Sequence, residues 1–331
     1  MSFTKLTGQE TAVRLLKDDL DSGRIHHAYL FTGIKGVGKR TLALDFARAL
    51  FCQRQDGEAC GTCLSCRKIE HSNHPDLSII NITEGDSIKI EQIRELQRGL
   101  AFRPYEGKWK LYIIEDADRM TPEAANSLLK TLEEPPHYGV IILLAREAET
   151  LLPTIVSRCH LIQLNPLSVE NIEKILLEAG YEDSEKIKLA AALAGGSPGE
   201  AKRLIEDEDF FTEREKLYEF LYNLPELTEV DVFQFVDELL TLLRNKEAFP
   251  FFNLILNWYR DIILYRMDSH ADLVNSDYIA LYSKISEKYS VEELISIIEL
   301  VNNIKRYIDS NVKEDLALQV MFLNIRTKRV K

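Results

Sequence analysis

Short apolar runs alternate with helix-like periods over the first half of the chain. Such alternation is typical of a parallel sheet with helices on both faces. The apolar runs lie at residues 28–31, 77–82, 111–114, 140–145 and 160–164, and helical periods lie at residues 11–20 and 41–50. The pattern therefore predicts an α/β domain over residues 1–166.

The pattern changes after this domain, where apolar runs of the strand type stop. Helical periods follow at residues 169–178 and 185–193. A third helix is expected after the turn-forming segment Gly195-Gly-Ser-Pro198. We interpret residues 167–207 as a small helical lid on the α/β domain.

The last third of the chain carries helical periods with apolar faces and no strand pattern. These periods lie at residues 232–243, 251–265, 291–308 and 314–325. They predict an all-helical C-terminal domain over residues 208–331. Four aromatic residues of this domain are too close in sequence to share one helical face, and we expect some of them to contact other chains: Phe251, Phe252, Trp258 and Tyr259.

Length and charge limit the classes of protein to which the chain can belong. Its 331 residues are 45% apolar, enough for two or three domains with their own cores. The net charge of -12 disfavours a protein that holds DNA alone, because phosphate binding depends on clustered Lys and Arg. Any DNA contact should be shared with partner chains. No leader follows Met1 and no apolar run reaches about 20 residues, so we expect a cytoplasmic protein.

A glycine-rich segment, Gly33-Ile-Lys-Gly-Val-Gly-Lys39, follows an apolar run and opens a helical period. A Walker A phosphate loop requires that context. Its glycines, Gly33, Gly36 and Gly38, would let backbone N–H groups surround a phosphate. Lys39 would add a positive charge at the helix N-terminus. The segment predicts a nucleotide site, and a tight strand-to-helix turn without nucleotide is the alternative that stays open.

The magnesium part of this site departs from the usual pattern. Arg40 stands where Walker A has a hydroxyl for Mg²⁺, and Thr41 carries a hydroxyl one residue late, about 100° further around a helix. The acidic pair reads Glu115-Asp116, the reverse of the usual order. Asp116 would stand back by one methylene, and a displacement near 1 Å can cost about a hundredfold in rate. ATP and magnesium stay open as cofactors, and efficient turnover is not expected.

The cysteines form a cluster between a helical period and the next apolar run. Four of the five lie within a C-x7-C-x2-C-x2-C segment: Cys52, Cys60, Cys63 and Cys66. Such turns can place four thiolates around Zn²⁺, and disulfides are disfavoured in a cytosolic chain. The spacing predicts a structural zinc knuckle inserted at residues 52–66, with iron–sulfur ligation or unliganded thiols as alternatives. We expect the nearby His71 and His74 to be surface residues.

Several motifs resemble, in order, those of AAA+ clamp loader subunits, and the resemblance covers nearly the whole chain. Besides the cysteine knuckle they are Leu6-Thr-Gly-Gln9, His27-Ala-Tyr-Leu-Phe-Thr-Gly33, Asn126-Ser-Leu-Leu-Lys-Thr-Leu-Glu-Glu-Pro-Pro136, Ser157-Arg158-Cys159 and Asn311-Val-Lys-Glu-Asp-Leu-Ala-Leu318. The resemblance implies an AAA+ P-loop domain, a helical lid and a collar domain that joins subunits into a ring. It implies a role in placing a sliding clamp on primed DNA during replication.

In this family Ser157-Arg158-Cys159 implies an arginine finger that reaches the ATP of the adjacent subunit. Arg suits that role because its planar, permanently charged group can bind a γ-phosphate through two hydrogen bonds. Motor subunits of the family carry a hydroxyl after the loop lysine, an Asp-Glu pair, a sensor-one threonine and a sensor-two arginine. This chain has Arg40, Glu115-Asp116, Arg146 and Gly199 at those positions. A retained finger with four altered positions resembles the stator of the ring.

The implied partners are the motor subunits, called gamma and tau, and the delta subunit. The sliding clamp and primed DNA would be reached through the assembled complex, as part of the DNA polymerase III holoenzyme. We expect no efficient ATPase activity from the chain alone. One alternative is a competent motor ATPase, which the retained Gly38 and Lys39 would permit. The other is a free-standing, zinc-bearing P-loop adaptor that joins no ring.

Overall fold

The computed structural model describes residues 6–54, 57–83, 85–245, 250–268, 273–310 and 312–327. The chain divides into two units, Met1–Lys202 and Arg203–Lys331. The first unit holds the predicted α/β domain together with most of the predicted lid. The division into three domains stays a prediction. Among the described residues no helix combines the length and apolar character needed to cross a membrane.

Parallel strands form the predicted sheet of the first unit, in the order β2-β3-β4-β1-β5. They are β1 (Ala28–Thr32), β2 (Leu77–Ile80), β3 (Lys110–Ile114), β4 (Gly139–Ala145) and β5 (His160–Gln163). The central strands β1 and β4 are buried along their whole length, which explains why they read as continuous apolar runs. The sheet expected from the sequence is confirmed.

Helices cover both faces of this sheet, and the lid helices follow it. Their bounds are α1 (Glu10–Ser22), α2 (Lys39–Phe51), α3 (Leu64–Glu70), α4 (Ile90–Leu100), α5 (Pro122–Glu133), α6 (Pro153–Val156), α7 (Val169–Glu178), α8 (Ser184–Leu193) and α9 (Pro198–Glu206). One core layer packs α1 and α2 against the sheet, and the other packs α4, α5 and α6 against the opposite face. The AAA+ P-loop arrangement that the resemblance implied is confirmed.

The carboxyl edge of the sheet collects the segments that carry the predicted nucleotide site. Gly33 directly follows β1, Glu115 follows β3 and Arg146 follows β4. The backbone N–H of Gly33 donates to the carbonyl of Arg146 at 3.0 Å, which ties the start of the loop to the neighbouring strand. Open parallel sheets bind ligands at this edge, so the fold places the loop where a nucleotide would lie.

The second unit is helical throughout its described residues. Its helices are α10 (Phe210–Asn223), α11 (Glu229–Asn245), α12 (Phe251–Met267), α13 (Ile279–Ile285), α14 (Val291–Asp309) and α15 (Glu314–Thr327). Three of the four aromatic residues singled out on α12 are core residues, which leaves only the half-buried Phe252 available for a contact with another chain. Phe251, Trp258 and Tyr259 are at most 2% exposed because other helices of this unit cover several faces of α12.

A buried polar network joins three segments of this helical unit. The Arg214 side chain is 2% exposed and donates to both carboxylate oxygens of Asp277, at 2.7 and 2.8 Å, and to Asn275 Oδ1 at 2.8 Å. Asp261, on α12, accepts from the backbone N–H and the side-chain amide of Asn275, each at 2.8 Å. These contacts fix the segment that leads into α13.

Candidate functional site

The phosphate loop binds its own lysine. Lys39 is the first residue of α2, whose N-cap is Gly38 in the left-handed region at φ 112°. The Lys39 ammonium donates to the backbone carbonyls of Gly33 and, at 3.0 Å, of Ile34. Burial lowers the pKa of Lys39, and Asp118 and Asp116 oppose that effect. The charge that Walker A offers to a phosphate is therefore directed at carbonyl oxygens of the loop.

The two altered magnesium positions face each other. Arg40 Nε lies 3.0 Å from Glu115 Oε1, and the two side chains are 61% and 17% exposed. The contact is an ion pair without the alignment of a hydrogen bond. Burial raises the pKa of Glu115 and the Arg40 charge counteracts it. A guanidinium thus neutralises the carboxylate that, in the usual pattern, would help to hold a magnesium ion.

Thr41 lines the lid side of the loop, whereas Arg40 pairs with Glu115. Thr41 lines a cavity of about 410 Å³ together with loop residues such as Gly36 and lid residues such as Pro198 and Gly199. Asp116, the other half of the acidic pair, is exposed and adopts a left-handed backbone conformation at φ 47°. Sequence reasoning placed these residues at one site, and the structure brings the loop and the acidic pair to one edge of the sheet.

The lid lies in direct backbone contact with the phosphate loop. Gly199 N donates to Gly36 O at 3.0 Å, and Ser197 Oγ donates to Lys35 O at 2.8 Å. A Cβ atom on Gly36 would meet Ser197 Oγ at 2.5 Å, and one on Gly199 would meet Gly36 Cα at 2.9 Å. An arginine at position 199 would not fit this contact. The sequence marked Gly199 as a departure but carried no sign of its contact with the loop.

The four cysteines of the predicted knuckle come together. Their sulfur atoms all lie within 4.8 Å of one another, and none of them forms a disulfide. Backbone N–H groups donate to three of the sulfurs, from Cys60 to Cys52 at 3.4 Å, from Cys63 to Cys60 at 3.3 Å and from Cys66 to Cys63 at 3.5 Å. Such donors stabilise thiolates, the form that binds metal. The cluster is compatible with a structural zinc ion.

Local structure explains how the cluster forms. Cys52 is the C-cap of α2, while Cys63 is the N-cap of α3 and Cys66 lies in its first turn. A hydrogen bond from the Thr62 side chain lowers the pKa of Cys60 to about 5, and burial raises the pKa of Cys66 to about 12. The end of α2 and the start of α3 therefore bring two buried and two half-buried thiols into one group.

One expectation about this region is wrong. His74 is 4% exposed, and its ring centroid lies 4.4 Å from that of Phe51. His74 Nδ1 accepts a hydrogen bond from Asp76 N at 3.2 Å. Burial lowers the pKa of His74, which favours the neutral ring that accepts this bond. His74 is thus a core residue rather than a surface residue, whereas His71 is exposed as expected.

Arg158 lies on the surface between α6 and β5. Its side chain is 35% exposed and pairs with Glu133, with Nη2 at 2.8 Å from Oε1. Arg158 Nη1 also donates to the carbonyl of Thr154 at 2.9 Å. These contacts hold the guanidinium against the C-terminal end of α5 and leave part of it accessible. The sequence did not reveal Glu133 as its partner.

Arg158 and the phosphate loop lie at opposite edges of the sheet. Strands β1 and β5 are parallel neighbours, with Tyr29 opposite His160 and Thr32 opposite Gln163. The loop begins after the end of β1, while Arg158 comes before the start of β5. Four residues of strand separate these edges by roughly 13 Å at about 3.3 Å per residue. The structure therefore does not bring Arg158 together with the other predicted site residues.

Comparison with known proteins identifies the family. The family model described as "DNA polymerase III, delta subunit" matches residues 8–168, and the model for the C-terminal part of that subunit matches residues 208–327. The DNA polymerase III subunit delta' of Bacillus subtilis is 32% identical over 320 residues, covering 96% of each chain.

Further similarities are found with a tau subunit and with a solved gamma-related protein. The DNA polymerase III subunit tau of Escherichia coli is 37% identical over 209 residues, which are 61% of this chain and 32% of that protein. A solved DNA polymerase III gamma subunit-related protein from Thermotoga maritima is 20% identical with a TM-score of 0.44, covering 97% of this chain and 99% of that one. That structural likeness carries no weight for function. From the family models and the full-length similarity, the chain belongs to the DNA polymerase III delta' family.

Proposed function

We propose that the chain is the stator of a replicative clamp loader and supplies Arg158 to the ATP site of the adjacent motor subunit. The role in clamp loading follows from membership of the delta' family. One observation supports the finger assignment above all: Arg158 lies at the sheet edge opposite the chain's own phosphate loop. A guanidinium at that edge can serve a nucleotide only on another chain.

The Arg158 guanidinium can exchange one negatively charged partner for another. Its present partner, Glu133, is an exposed carboxylate, and exposed ion pairs contribute only about 0–1 kcal/mol. A γ-phosphate offers more negative charge and several acceptor oxygens, which the forked guanidinium binds in two places. Exchange of Glu133 for a phosphate is therefore favourable when a neighbouring chain presents one. In transition states of phosphoryl transfer, the fixed charge of an arginine stabilises the charge that develops.

Contacts within the chain's own nucleotide site also support the stator assignment. Lys39 is bound to loop carbonyls, Arg40 pairs with Glu115, and the lid touches the loop through Gly36 and Gly199. Each contact uses a group that an active site would direct at ATP or magnesium. We propose that this site does not hydrolyse ATP efficiently. A stable closed site would also suit a rigid member at the end of a ring.

We further propose that the cysteine cluster holds a structural zinc ion. The ligands would be Cys52, Cys60, Cys63 and Cys66, and a four-sulfur shell leaves no open position for catalysis. The ion would join the end of α2 to the start of α3. Since α2 also carries the phosphate loop at its other end, the zinc site would anchor the helix on which that loop depends.

The proposed partners are the gamma or tau motor subunits and the delta subunit. Relatives named tau and gamma are similar to this chain over 61% and 62% of its length, which supports a common ring architecture. The helical second unit would form the collar, and the sliding clamp and primed DNA would be reached through the complete complex. A competent motor ATPase is the second candidate, but the Arg40–Glu115 pair speaks against it.

Reconstitution with motor and delta subunits tests the finger assignment. Rings carrying Arg158→Ala should assemble, and ATP turnover at the adjacent site should fall by about a thousandfold or more, so that total turnover of the ring falls in part. Arg158→Lys should lose most of the same activity because an ammonium lacks the forked geometry. Arg94→Ala, which removes an exposed arginine on α4, is the matched control and should behave as wild type. Unchanged turnover in the Arg158→Ala ring would contradict the proposal.

A further inference from the structure

Two histidines and an aspartate meet at the amino edge of the sheet, away from the phosphate loop and the cysteines. Asp19 lies near the end of α1, His26 precedes β1 and His160 is the first residue of β5. One ligand atom from each side chain lies within 4.8 Å of the others. We call these three residues the amino-edge cluster. No step of the proposed clamp loader function uses them.

The two imidazole rings lie side by side, and the exposed His26 ring must turn out of their stack before both can bind one ion. The rings of His26 and His160 are stacked, with centroids 4.3 Å apart and an angle of 7° between their planes. His26 Nε2 lies 3.8 Å from Asp19 Oδ1. The His26 side chain is 45% exposed and that of Asp19 is 16% exposed, so an ion can reach them from solvent.

A buried tyrosine holds the carboxylate of the cluster. Tyr29 is fully buried and its hydroxyl donates to Asp19 Oδ2 at 2.9 Å. The same hydroxyl accepts from the backbone N–H of His26 at 3.1 Å. Outer partners of this kind orient metal ligands and are characteristic of built sites. Asp19 Oδ1, the oxygen nearer to His26, is thereby directed at the cluster.

We propose that the amino-edge cluster binds a divalent transition-metal cation of the zinc class. Imidazole ligands favour zinc, cobalt, nickel and copper over magnesium or calcium, which prefer oxygen ligands. Two histidines and one carboxylate form a three-ligand set that leaves room for water. Bound ligand atoms would stand roughly 3 to 3.5 Å apart at zinc distances of about 2.0–2.2 Å. To reach these distances the His26 ring turns out of its stack with His160, a movement that its 45% exposure to solvent permits.

Such an ion would connect three segments that are distant in sequence. It would link the end of α1, the start of β1 and the start of β5, whose first residue lies two positions after Arg158. The site is therefore a structural clamp beside the segment that carries Arg158. The inference stands independently of the role proposed for that arginine.

Metal content of the full-length chain tests the site. Wild type and variants are prepared with zinc at the cysteine cluster and then dialysed against ZnCl₂. The ratio of zinc to protein is measured for each. His160→Ala and Asp19→Asn should each hold one zinc fewer than wild type. His137→Ala, which removes an exposed histidine from another part of the unit, should match wild type. Circular dichroism checks that each variant is folded, and Asp19→Asn keeps the shape of the side chain if His160→Ala does not fold.

A second readout separates specific binding from adventitious zinc. ZnCl₂ should raise the melting temperature of wild type and His137→Ala beyond any rise in His160→Ala, because only a site in the folded chain shifts unfolding in this way. Equal zinc content and equal thermal shifts in wild type, His160→Ala and Asp19→Asn would overturn the proposal. The stacked histidines would then be a packing contact between the segment before β1 and the start of β5.

Discussion

The phosphate loop and the cysteine cluster both begin from a motif that is plain in the sequence, and they sit at opposite ends of α2. In the cysteine cluster, backbone N–H groups point at sulfur and the side chains converge on one another. In the phosphate loop the cationic side chains turn to partners within the protein: Lys39 to carbonyls and Arg40 to Glu115. The difference teaches that a motif predicts a ligand only when its binding groups are not engaged elsewhere.

The largest effect is expected at the cysteine cluster. Cys66→Ser should remove the zinc ion and lower the free energy of unfolding of the first unit by roughly 4 kcal/mol or more, since loss of a structural metal is among the most damaging changes. Metal analysis and thermal unfolding measure both effects. Cys159→Ser is the control. Cys159 lies outside the cluster, so this variant should retain zinc. Full zinc content in Cys66→Ser would show that the cysteine cluster is not a metal site and would remove its contrast with the phosphate loop.

The next largest loss of stability is expected where the lid contacts the phosphate loop. Gly36→Ala places a methyl group against Ser197 Oγ and should cost about 1–3 kcal/mol more than the same change at Gly180. Both glycines have positive φ, 76° and 94°, but a Cβ on Gly180 meets nothing within 4 Å. The pair of variants therefore separates the lid contact from backbone strain. Denaturant unfolding provides the measurement, and equal losses would show that the contact contributes nothing.

Restoring the magnesium pattern should have a smaller effect. The double variant Arg40→Thr with Glu115→Asp removes the ion pair and supplies a hydroxyl and a shorter carboxylate. We expect magnesium-dependent ATP binding to strengthen about tenfold, roughly 1.4 kcal/mol, because the lid contact and Lys39 still oppose entry. Titration with a fluorescent ATP analogue, with magnesium or with EDTA, measures this. Wild type binding as tightly as the double variant would mean that the Arg40–Glu115 pair does not close the site.

The smallest effect is expected at the partner of Arg158. Glu133→Gln removes an exposed ion pair and should change the free energy of unfolding by less than about 1 kcal/mol. The freed guanidinium should leave ATP turnover of the assembled ring equal to or slightly above that of wild type. A loss of turnover comparable to that of Arg158→Ala would show that Glu133 positions the finger rather than holding it at rest.

Strong periodic signals explain what the sequence predicted of the fold. The strands begin and end within two residues of the predicted runs, because most of their residues are apolar and the central strands are buried. The cysteine spacing likewise predicted a cluster that the structure brings together. Local patterns of this kind depend on neighbours in the chain, which the sequence displays directly.

Contacts between distant segments explain what the sequence could not predict. The pairing of Arg40 with Glu115 joins residues 75 positions apart in the numbering, and the lid contact joins Gly36 to Gly199. Burial of His74 and the aromatic residues of α12 depends on other helices and loops that cover them. The amino-edge cluster combines α1, the residues just before β1 and the start of β5 in the same way. None of these arrangements produces a periodic pattern in the sequence.

A paired measurement tests the central claim most directly. ATP turnover is measured for reconstituted rings in which only this chain carries either Arg158→Ala or Lys39→Ala. The account predicts a marked fall with Arg158→Ala and wild-type turnover with Lys39→Ala, because the chain would serve its neighbour's nucleotide and hydrolyse none efficiently itself. A marked fall with Lys39→Ala and none with Arg158→Ala would contradict it and assign the chain to the motor subunits.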